Sequence, residues 1–351
     1  MQGILQRINR NNMKTNLSIF KDGFFMNILS LFDGISCGQI ALERANIKID
    51  KYYASEIDAN AIKVTKHNYP NTIHIGSVND IDFNNYQDID ILIGGSPCQD
   101  LSRCNLENRG LEGERSKLFF KYIEALKITK PKYYVFENVG SMTNENMETI
   151  SEHFGHKPIC INSNLVSPQS RERYYWTNIP NVIAPIDKNI LVKDIIDKTV
   201  PEKYYLKMDY AYVPKETKHN SKSGLQFVCG IISKKKWLDD GKGNSRNFSQ
   251  GNRVYSINGK SCTINANAGG LGGKSGLYYL EDGNEFSKSN IRRLTPLETE
   301  RLQTIPDNYT DMINETNRYK CIGNGWTVDV IAHILSFING FEKTKERGQK
   351  I

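Results

Sequence analysis

The 351-residue sequence has no long hydrophobic run. A helix that crosses a membrane needs roughly 20 consecutive apolar residues, and no segment approaches that length. The basic, Asn-rich N-terminus also lacks the apolar stretch and the small-residue cleavage site of a secretory signal. We therefore expect neither membrane insertion nor export, and a protein that acts in the cytoplasm.

The cysteines are few and are poorly placed to form a disulfide framework or a zinc site. The seven cysteines are an odd number, are widely scattered, and include neither a CxxC pair nor a nearby histidine at metal-ligand spacing. A disulfide scaffold and a structural zinc site are both disfavoured, and we expect no metal. With 38% hydrophobic and 24% charged residues, the composition is that of a soluble globular protein.

Acidic residues do not dominate the charge, because 46 Lys and Arg against 39 Asp and Glu give a net charge of +7. A positive excess suits a protein that contacts phosphates, but many proteins without a nucleic-acid partner are equally basic. Charge therefore permits a nucleic-acid partner without establishing one.

Short apolar runs alternate with helical periodicity from Asn27 onward. This rhythm predicts an α/β fold, with a mostly parallel sheet covered on both faces by helices. After about Asn181 the sequence becomes rich in Gly, Asn, Ser and Lys, which predicts a smaller, loop-rich β domain. We divide the chain into an N-terminal extension (1–25), a first domain (26–185), a second domain (186–290) and a segment that returns to the first domain (291–351).

The first chemical signal is a glycine-rich turn, LFDGISCGQIAL, which contains Phe32, Asp33, Gly34 and Gly38. Glycines there let a ligand approach the backbone and leave helix N–H groups free for an anion, although a turn without a ligand would also use them. Glu56 follows the next predicted strand, where acidic residues bind ribose hydroxyls. Together the two features predict a nucleoside-bearing cofactor.

The second signal is Cys98, on a loop after the predicted strand in ILIGGSPCQDLS. A free cysteine is usually a small buried hydrophobe, and Glu137, at the end of the next strand in FENV, has helix capping or ion pairing as its ordinary roles. Both residues follow strands of a parallel sheet, at the edge where ligand crevices form. Their joint placement favours a thiolate nucleophile paired with a general acid.

The motifs GGSPCQDLS, FENV and QSRER resemble the catalytic signature of the DNA cytosine-5 methyltransferase family. The order of the motifs also matches, through a variable region to RRLTPLETERLQTIPDNY and IGNGWTVDVIAHI, and the resemblance covers most of residues 26–345. It implies a Rossmann-like catalytic domain and a smaller target-recognition domain. It also implies methyl transfer from S-adenosylmethionine, which becomes S-adenosylhomocysteine, to a cytosine flipped out of double-stranded DNA.

The resemblance implies roles for five residues near the reacting base. Cys98 would attack cytosine C6 to form a covalent adduct, and Glu137 would be the acid at N3. Arg173 is similar to the arginine that contacts the carbonyl oxygen of the flipped base. Gln169 and Arg171 resemble neighbours that hold the catalytic loop and the DNA backbone. A solvated basic strand is the alternative interpretation of the two arginines.

For the cofactor, the resemblance implies contacts from the glycine-rich turn, Glu56, Ile57 and Pro97, the last supported by Asn138. Many family members carry an aspartate near the adenine after the third strand. Here Ser77 takes that position, and Asp80 follows three residues later as the candidate.

The last motif reads GNGWTV rather than the version with small residues that is common in bacterial enzymes. Asn324 and Trp326 are expected beside the cofactor, because animal de novo methyltransferases have a similar tryptophan there. A plain core tryptophan is the other interpretation of Trp326.

For DNA, the segment after Cys98 resembles the family's mobile catalytic loop, and we expect Ser102 and Arg103 to contact DNA. In the variable region Arg253 is the best candidate for a base reader, because arginine pairs with guanine O6 and N7. Gln250 resembles a residue that fills the space left by the flipped base. The second recognition loop would contain Thr263 and Asn267, although ordinary hairpins use the same residue types.

We expect an active monomeric enzyme, either an orphan or the protective half of a restriction–modification system whose endonuclease acts independently. The alternative within the family is tRNA cytosine-5 methylation, against which QDLS after the Pro–Cys pair argues. A catalytically silent DNA-binding module is a third interpretation. The joint presence of Cys98, Glu137 and Arg173 argues against it.

Overall fold

The computed structural model describes residues 25–97, 118–206, 210–214, 223–233, 250–266, 273, 275–280 and 287–348. Within these residues, seven strands form one sheet in the order β3-β2-β1-β4-β5-β7-β6. The strands are β1 (Phe25–Leu31), β2 (Lys48–Ser55), β3 (Ile73–Gly76), β4 (Ile91–Gly94), β5 (Tyr133–Val139), β6 (Ile159–Asn162) and β7 (Glu172–Thr177). Strands β1 to β5 pair in parallel, whereas β7 runs antiparallel to both β5 and β6. The predicted mostly parallel sheet is confirmed.

The strand order reverses between β1 and β4, since β2 and β3 extend to one side of β1 and β5 lies on the far side of β4. Such a reversal opens a crevice at the carboxyl ends of the two central strands. The glycine-rich turn follows β1, and the segment 95–97 follows β4. Both predicted motifs therefore begin at this crevice.

The helices are α1 (Cys37–Arg44), α2 (Ala59–Asn68), α3 (Leu118–Thr129), α4 (Asn144–Phe154), α5 (Pro296–Leu302), α6 (Glu315–Asn324) and α7 (Val328–Gly348). Local sequence explains several of their ends. The Asp58 carboxylate accepts a hydrogen bond from the Asn60 N–H (2.9 Å) and caps α2. Thr295 and Glu298 form a reciprocal capping box at the start of α5.

The sheet is buried on both faces, because alternate residues of each strand point to opposite sides. Ile28 of β1 lies in one apolar cluster with residues of α1 and α7. Its neighbour Leu29 lies in another cluster with residues of α3 and α4.

Helix α7 packs against α1 through a stripe of buried residues at helical spacing, Val328, Ile331, Leu335 and Ile338. By length and composition the described helical stretch Glu315–Asn339 could cross a membrane, but 67% of its most apolar window is buried inside the fold. A core helix of a soluble protein has the same composition.

A second sheet forms from β8 (Tyr210–Pro214), β9 (Phe227–Ser233), β10 (Arg253–Ser256), β11 (Leu277–Tyr279) and β12 (Ile291–Arg293), in the order β12-β11-β10-β9-β8. It has a small apolar core of its own, which includes Cys229, Val254 and Ile291. The sheet falls in the region where the smaller β domain is predicted, and the exact domain bounds stay predictions.

Candidate active site

The glycine-rich turn leaves β1 in a left-handed conformation, with φ of 60° at Phe32 and 61° at Gly34. Its position is fixed because the Asp33 N–H donates to the Ser55 carbonyl at the end of β2 (3.0 Å). A Cβ added at Gly34 would meet nothing within 4 Å, whereas one at Gly38 would lie 2.5 Å from the Ile93 side chain. Gly38 thus allows α1 to pack closely on the sheet, and Gly34 borders open space.

The Asp33 carboxylate accepts hydrogen bonds from hydroxyls in and around the turn. Its Oδ1 accepts hydrogen bonds from the hydroxyls of Ser30 (2.6 Å) and Tyr52 (2.6 Å), and its Oδ2 accepts one from Ser36. Burial raises the pKa of Asp33 from 3.8 to about 6, although the hydroxyls favour its charged form. The side chain predicted to contact a cofactor therefore stabilises the turn, and the backbone around Gly34 faces the open space.

Glu56 lies at the carboxyl end of β2 beside Gly34. Its Oε2 accepts from the Gly34 N–H (2.7 Å), and its Oε1 accepts from the N–H groups of Ile57 (2.7 Å) and Asp58 (2.8 Å). A carboxylate has about four acceptor sites, so about one remains on Oε2. The Ile57 side chain is 77% exposed next to it. One acceptor for a hydroxyl and one exposed apolar surface fit the ribose and base of a nucleoside.

The two candidates for an adenine contact lie just after β3. The Ser77 hydroxyl accepts from the Asn79 N–H (3.3 Å) and caps a short helical turn over Val78–Asp80. Asp80 is exposed at the end of that turn. Ser77 is thus engaged within its own loop, and the Asp80 side chain faces solvent.

The last residue of β4 and the two residues that follow it are closely packed. A Cβ on Gly94 would lie 2.8 Å from the Leu31 carbonyl, and one on Gly95 would lie 2.8 Å from Glu137 Oε2. The Asn138 amide lies 3.4 Å from both the carbonyl and the hydroxyl oxygen of the buried Ser96. Pro97 is the last residue described before a gap that contains Cys98, Ser102 and Arg103, which lie outside the described residues.

The carboxylate of Glu137 is held by two side chains, one at each oxygen. Arg173 Nε lies 2.9 Å from Glu137 Oε1, and the two side chains are only 14% and 13% exposed. The Trp326 indole N–H donates to Glu137 Oε2 (3.1 Å). Arg173 also donates from Nη1 to the Glu172 carbonyl (2.8 Å). The predicted acid, the predicted base-contacting arginine and the predicted cofactor-side tryptophan therefore form one contiguous group.

The described cysteines are poor candidates for a thiolate nucleophile. Burial raises the pKa of Cys37, Cys229 and Cys321 to about 12 each. Burial also raises the pKa of Cys160 and of Cys262 above the usual value. A thiol must be ionised to attack, so none of these five is suited to the role of Cys98.

Arg171 and Gln169 lie in the interior, 6% and 0% exposed. The Arg171 guanidinium donates to the carbonyls of Ile264 (3.3 Å), Gly323 (3.2 Å) and Gly325 (3.1 Å). Side chains of this kind position backbone rather than contact a substrate. The pair joins β7, the second domain and the loop after α6.

Gln303 is a buried residue whose role was not predicted. Its Nε2 donates to the carbonyls of Ile322 (3.1 Å) and Gly325 (2.9 Å). Its Oε1 accepts from Gln169 Nε2 (3.0 Å) and the Thr327 hydroxyl (2.7 Å). The only signal in the sequence was its place in the motif RRLTPLETERLQTIPDNY.

The recognition candidates lie where the second domain meets the first. Arg253 is exposed at the start of β10 and hydrogen-bonds Tyr255. Gln250 Nε2 donates to the Thr263 carbonyl (2.9 Å), and the Thr263 hydroxyl donates to the Ser170 carbonyl (2.6 Å). Asn267 lies outside the described residues. Gln250 and Thr263 therefore connect the second domain to Ser170, two residues before β7.

Asn324 is exposed at the last residue of α6, close in sequence to the loop that carries Trp326. Among the described residues, no group of three His, Cys, Asp or Glu side chains is arranged to hold a metal ion.

Residues 26–339 match the family model for C-5 cytosine-specific DNA methylase. The orphan methyltransferase M.Rho11sI of Bacillus phage rho11s is 32% identical over 307 residues, which cover 73% of this chain and 61% of that protein. The type II methyltransferase M.HhaI of Haemophilus parahaemolyticus is 26% identical over 329 residues, which cover 88% and 93%.

Among solved structures, the Entamoeba histolytica methyltransferase EhMeth superposes with a TM-score of 0.66 at 18% identity, over 90% of this chain and 98% of that chain. At that identity the likeness shows a shared fold. The family model, by contrast, spans residues 26–339, nearly the whole described chain. The chain therefore belongs to the C-5 cytosine-specific DNA methylase family.

Proposed function

We propose that this protein methylates C5 of a cytosine flipped out of double-stranded DNA, through a covalent adduct between Cys98 and C6. The observation that carries the proposal is the grip on Glu137, held by Arg173 and Trp326 beside the segment that leads to Cys98. Such a fixed carboxyl group is what protonation of the cytosine ring requires.

The chemistry explains why a cysteine and an acid are both needed. Cytosine C5 is too weak a nucleophile to take a methyl group, so a thiolate must first add to C6. As Cys98 adds, Glu137 gives its proton to N3, and C5 gains enamine character. After methylation a base removes the C5 proton, the thiolate leaves, and N3 returns its proton to Glu137.

Arg173 can contact both the acid, Glu137, and the flipped cytosine. Its Nε holds Glu137 Oε1 and its Nη1 holds the Glu172 carbonyl. Within the described part of the chain, Nη2 has no hydrogen-bond partner and is the donor we assign to the carbonyl oxygen of the flipped base. Because this group lies in a crevice, the target base must leave the DNA stack to reach it.

The cofactor site that fits this chemistry is the open space beside Gly34 and Glu56. When bound, S-adenosylmethionine supplies an electrophilic methyl group to C5 and leaves as S-adenosylhomocysteine. Glu56 would accept a hydrogen bond from a ribose hydroxyl, and the exposed Ile57 would contact the adenine. The wall between this space and the catalytic carboxylate would be formed by Trp326, with Pro97 and Asn324 at the rim.

DNA recognition is assigned to the second domain. Exposed Arg253 is the candidate for reading a guanine, and Gln250, with Thr263, would occupy the groove next to the flipped base. Both orphan and type II methyltransferases occur among the relatives, so an orphan enzyme and the protective half of a restriction–modification system are both open. We place its action in the cytoplasm, as a monomer.

The direct test is transfer of a labelled methyl group from S-adenosylmethionine to duplex DNA by the purified chain, with tRNA as the competing substrate. We expect label in DNA, none in tRNA, and none with Cys98→Ser, whose hydroxyl is a far weaker nucleophile. Label in tRNA alone would overturn the substrate assignment. Normal turnover by Cys98→Ser would overturn the covalent mechanism.

A further inference from the structure

Besides the ion pair with Arg173, the carboxylate of Glu137 has one hydrogen bond from a side chain within the described residues, and Trp326 is its donor. Its indole N–H lies 3.1 Å from Glu137 Oε2. Gly95 closes the third side, since a Cβ there would lie 2.8 Å from that oxygen and 3.3 Å from the indole nitrogen. The space around Oε2 is therefore defined by a neutral donor and a glycine.

The backbone of Trp326 is fixed independently of its ring. The preceding carbonyl, of Gly325, accepts hydrogen bonds from Gln303 (2.9 Å) and Arg171 (3.1 Å). The backbone N–H of Trp326 lies beside the buried Cys37 at the start of α1, directly after the glycine-rich turn. The indole is thus held in a fixed position, from the cofactor side of the crevice to the carboxylate of Glu137.

The two oxygens of Glu137 face partners of different charge. Oε1 faces the guanidinium of Arg173, which favours negative charge on that atom. Oε2 faces a neutral N–H, which occupies one lone pair and leaves the other for a proton. The proton destined for cytosine N3 is therefore best carried on Oε2.

We propose that Trp326 is a positioning residue for this reaction, which orients Glu137 Oε2 as the oxygen that protonates cytosine N3. The inference rests on the proposed function and adds a residue and an atom to it. One net hydrogen bond to a charged or reacting group has about the energy of a tenfold rate change, about 1.4 kcal/mol. We therefore expect Trp326→Phe to lower the rate of the acid-assisted step by about tenfold or more.

The test measures the protonation of cytosine N3 separately from cofactor binding. Addition of Cys98 to C6 makes C5 able to exchange its hydrogen with water, so DNA with tritium at cytosine C5 releases label even without a methyl donor. This release requires protonation of N3 but no cofactor. We would measure it beside methyl transfer, with kcat and KM for DNA and for S-adenosylmethionine determined separately.

The matched control is Trp176→Phe on β7, which also removes an indole donor, to Ser151 Oγ at 3.1 Å, but inside the core. A second variant, Gly95→Ala, places a methyl group 2.8 Å from Glu137 Oε2 and should displace that carboxylate from its two partners. Replacing Trp326 with 3-benzothienylalanine keeps the ring shape and removes only the N–H donor, should the phenylalanine variant fail to fold.

We expect the Trp326 variants and Gly95→Ala to lose tritium release and kcat together, and Trp176→Phe to retain both within about twofold. Unchanged tritium release in the Trp326 variants, or a defect confined to KM for S-adenosylmethionine, would overturn the inference while the wild-type activity still supported the proposed function. A wild-type chain with neither activity would overturn the proposed function, and the inference with it.

Discussion

Arg173 Nε lies 2.9 Å from Glu137 Oε1, across two neighbouring strands that run in opposite directions. Because β7 is antiparallel to β5, the first residues of β7 lie beside the last residues of β5, and Val139 pairs with Arg173. The reversed strand therefore delivers the QSRER motif to the end of FENV. A parallel strand would have carried Arg173 to the opposite edge of the sheet.

Arg173→Lys should lower kcat for methyl transfer by about a hundredfold while the protein stays folded. Lysine keeps a positive charge but lacks the planar fork that holds Glu137 and leaves a second donor for the base. Lys121→Met, which breaks a half-buried pair with Glu124 on α3, is the control and should stay within about twofold of wild type. Single-turnover rates check this, and an active Arg173→Lys would contradict the shared role.

Glu56→Gln should weaken binding of S-adenosylhomocysteine by about tenfold or more, because the amide has one acceptor atom where the carboxylate uses two. Isothermal titration calorimetry measures the dissociation constant without turnover. Glu152→Gln, on an exposed position of α4, is the control and should bind as wild type does. Equal affinities for all three proteins would remove Glu56 from the cofactor site.

Arg171→Met should lower the free energy of unfolding by about 3 kcal/mol, since three backbone carbonyls lose a buried donor. Lys188→Met removes an exposed ion pair with Asp329 and should cost less than about 1 kcal/mol. Urea unfolding of the two variants makes the comparison. Matching midpoints for Arg171→Met and wild type would show that Arg171 is not a structural clamp.

Asp33 should make stability depend on pH in the acidic range. Its pKa is raised by burial to about 6, above the ordinary 3.8, so the folded state binds its proton more tightly than the unfolded state. The stability from this group is complete below about pH 4 and is lost as the pH rises through about 6. As the pH rises through that range, the unfolding free energy of the wild type should therefore fall relative to that of Asp33→Asn. A difference that stays constant with pH would contradict the raised pKa.

The sequence was sufficient to predict the sheet and to place several candidate residues at the ends of its strands. Apolar runs that end in Gly, Pro or a carboxylate predict strands whose last residues meet at one edge, and Glu56, Gly94 and Glu137 do lie at such ends. The family resemblance assigned Glu137 and Arg173 to the same reacting base, and the strands that carry them pair directly.

Contacts between distant segments could not be predicted in the same way. Trp326 and Glu137 are 189 positions apart, and their hydrogen bond depends on how the loop after α6 returns to the sheet. Arg171 and Arg173 look alike in sequence, yet Arg171, just before β7, donates to the buried carbonyls of Gly323 and Gly325, whereas Arg173 contacts Glu137.

Asp33 shows a further limit. Its place in a glycine-rich turn suggested a ligand contact, whereas the hydroxyls that occupy it come from three different segments. Only the folded chain reveals that the hydroxyls of Ser30, Ser36 and Tyr52 hold this carboxylate within the turn.

The central claim is cytosine-5 methylation of DNA through Cys98, and bisulfite sequencing tests it most directly. The measurement is made on DNA from a host that lacks cytosine methylation and expresses either the wild-type chain or Cys98→Ser. We predict protected cytosines within one recurring sequence in the wild-type sample and none with Cys98→Ser. Full conversion of every cytosine in DNA from cells that contain the soluble wild-type protein, or equal protection by Cys98→Ser, would contradict it.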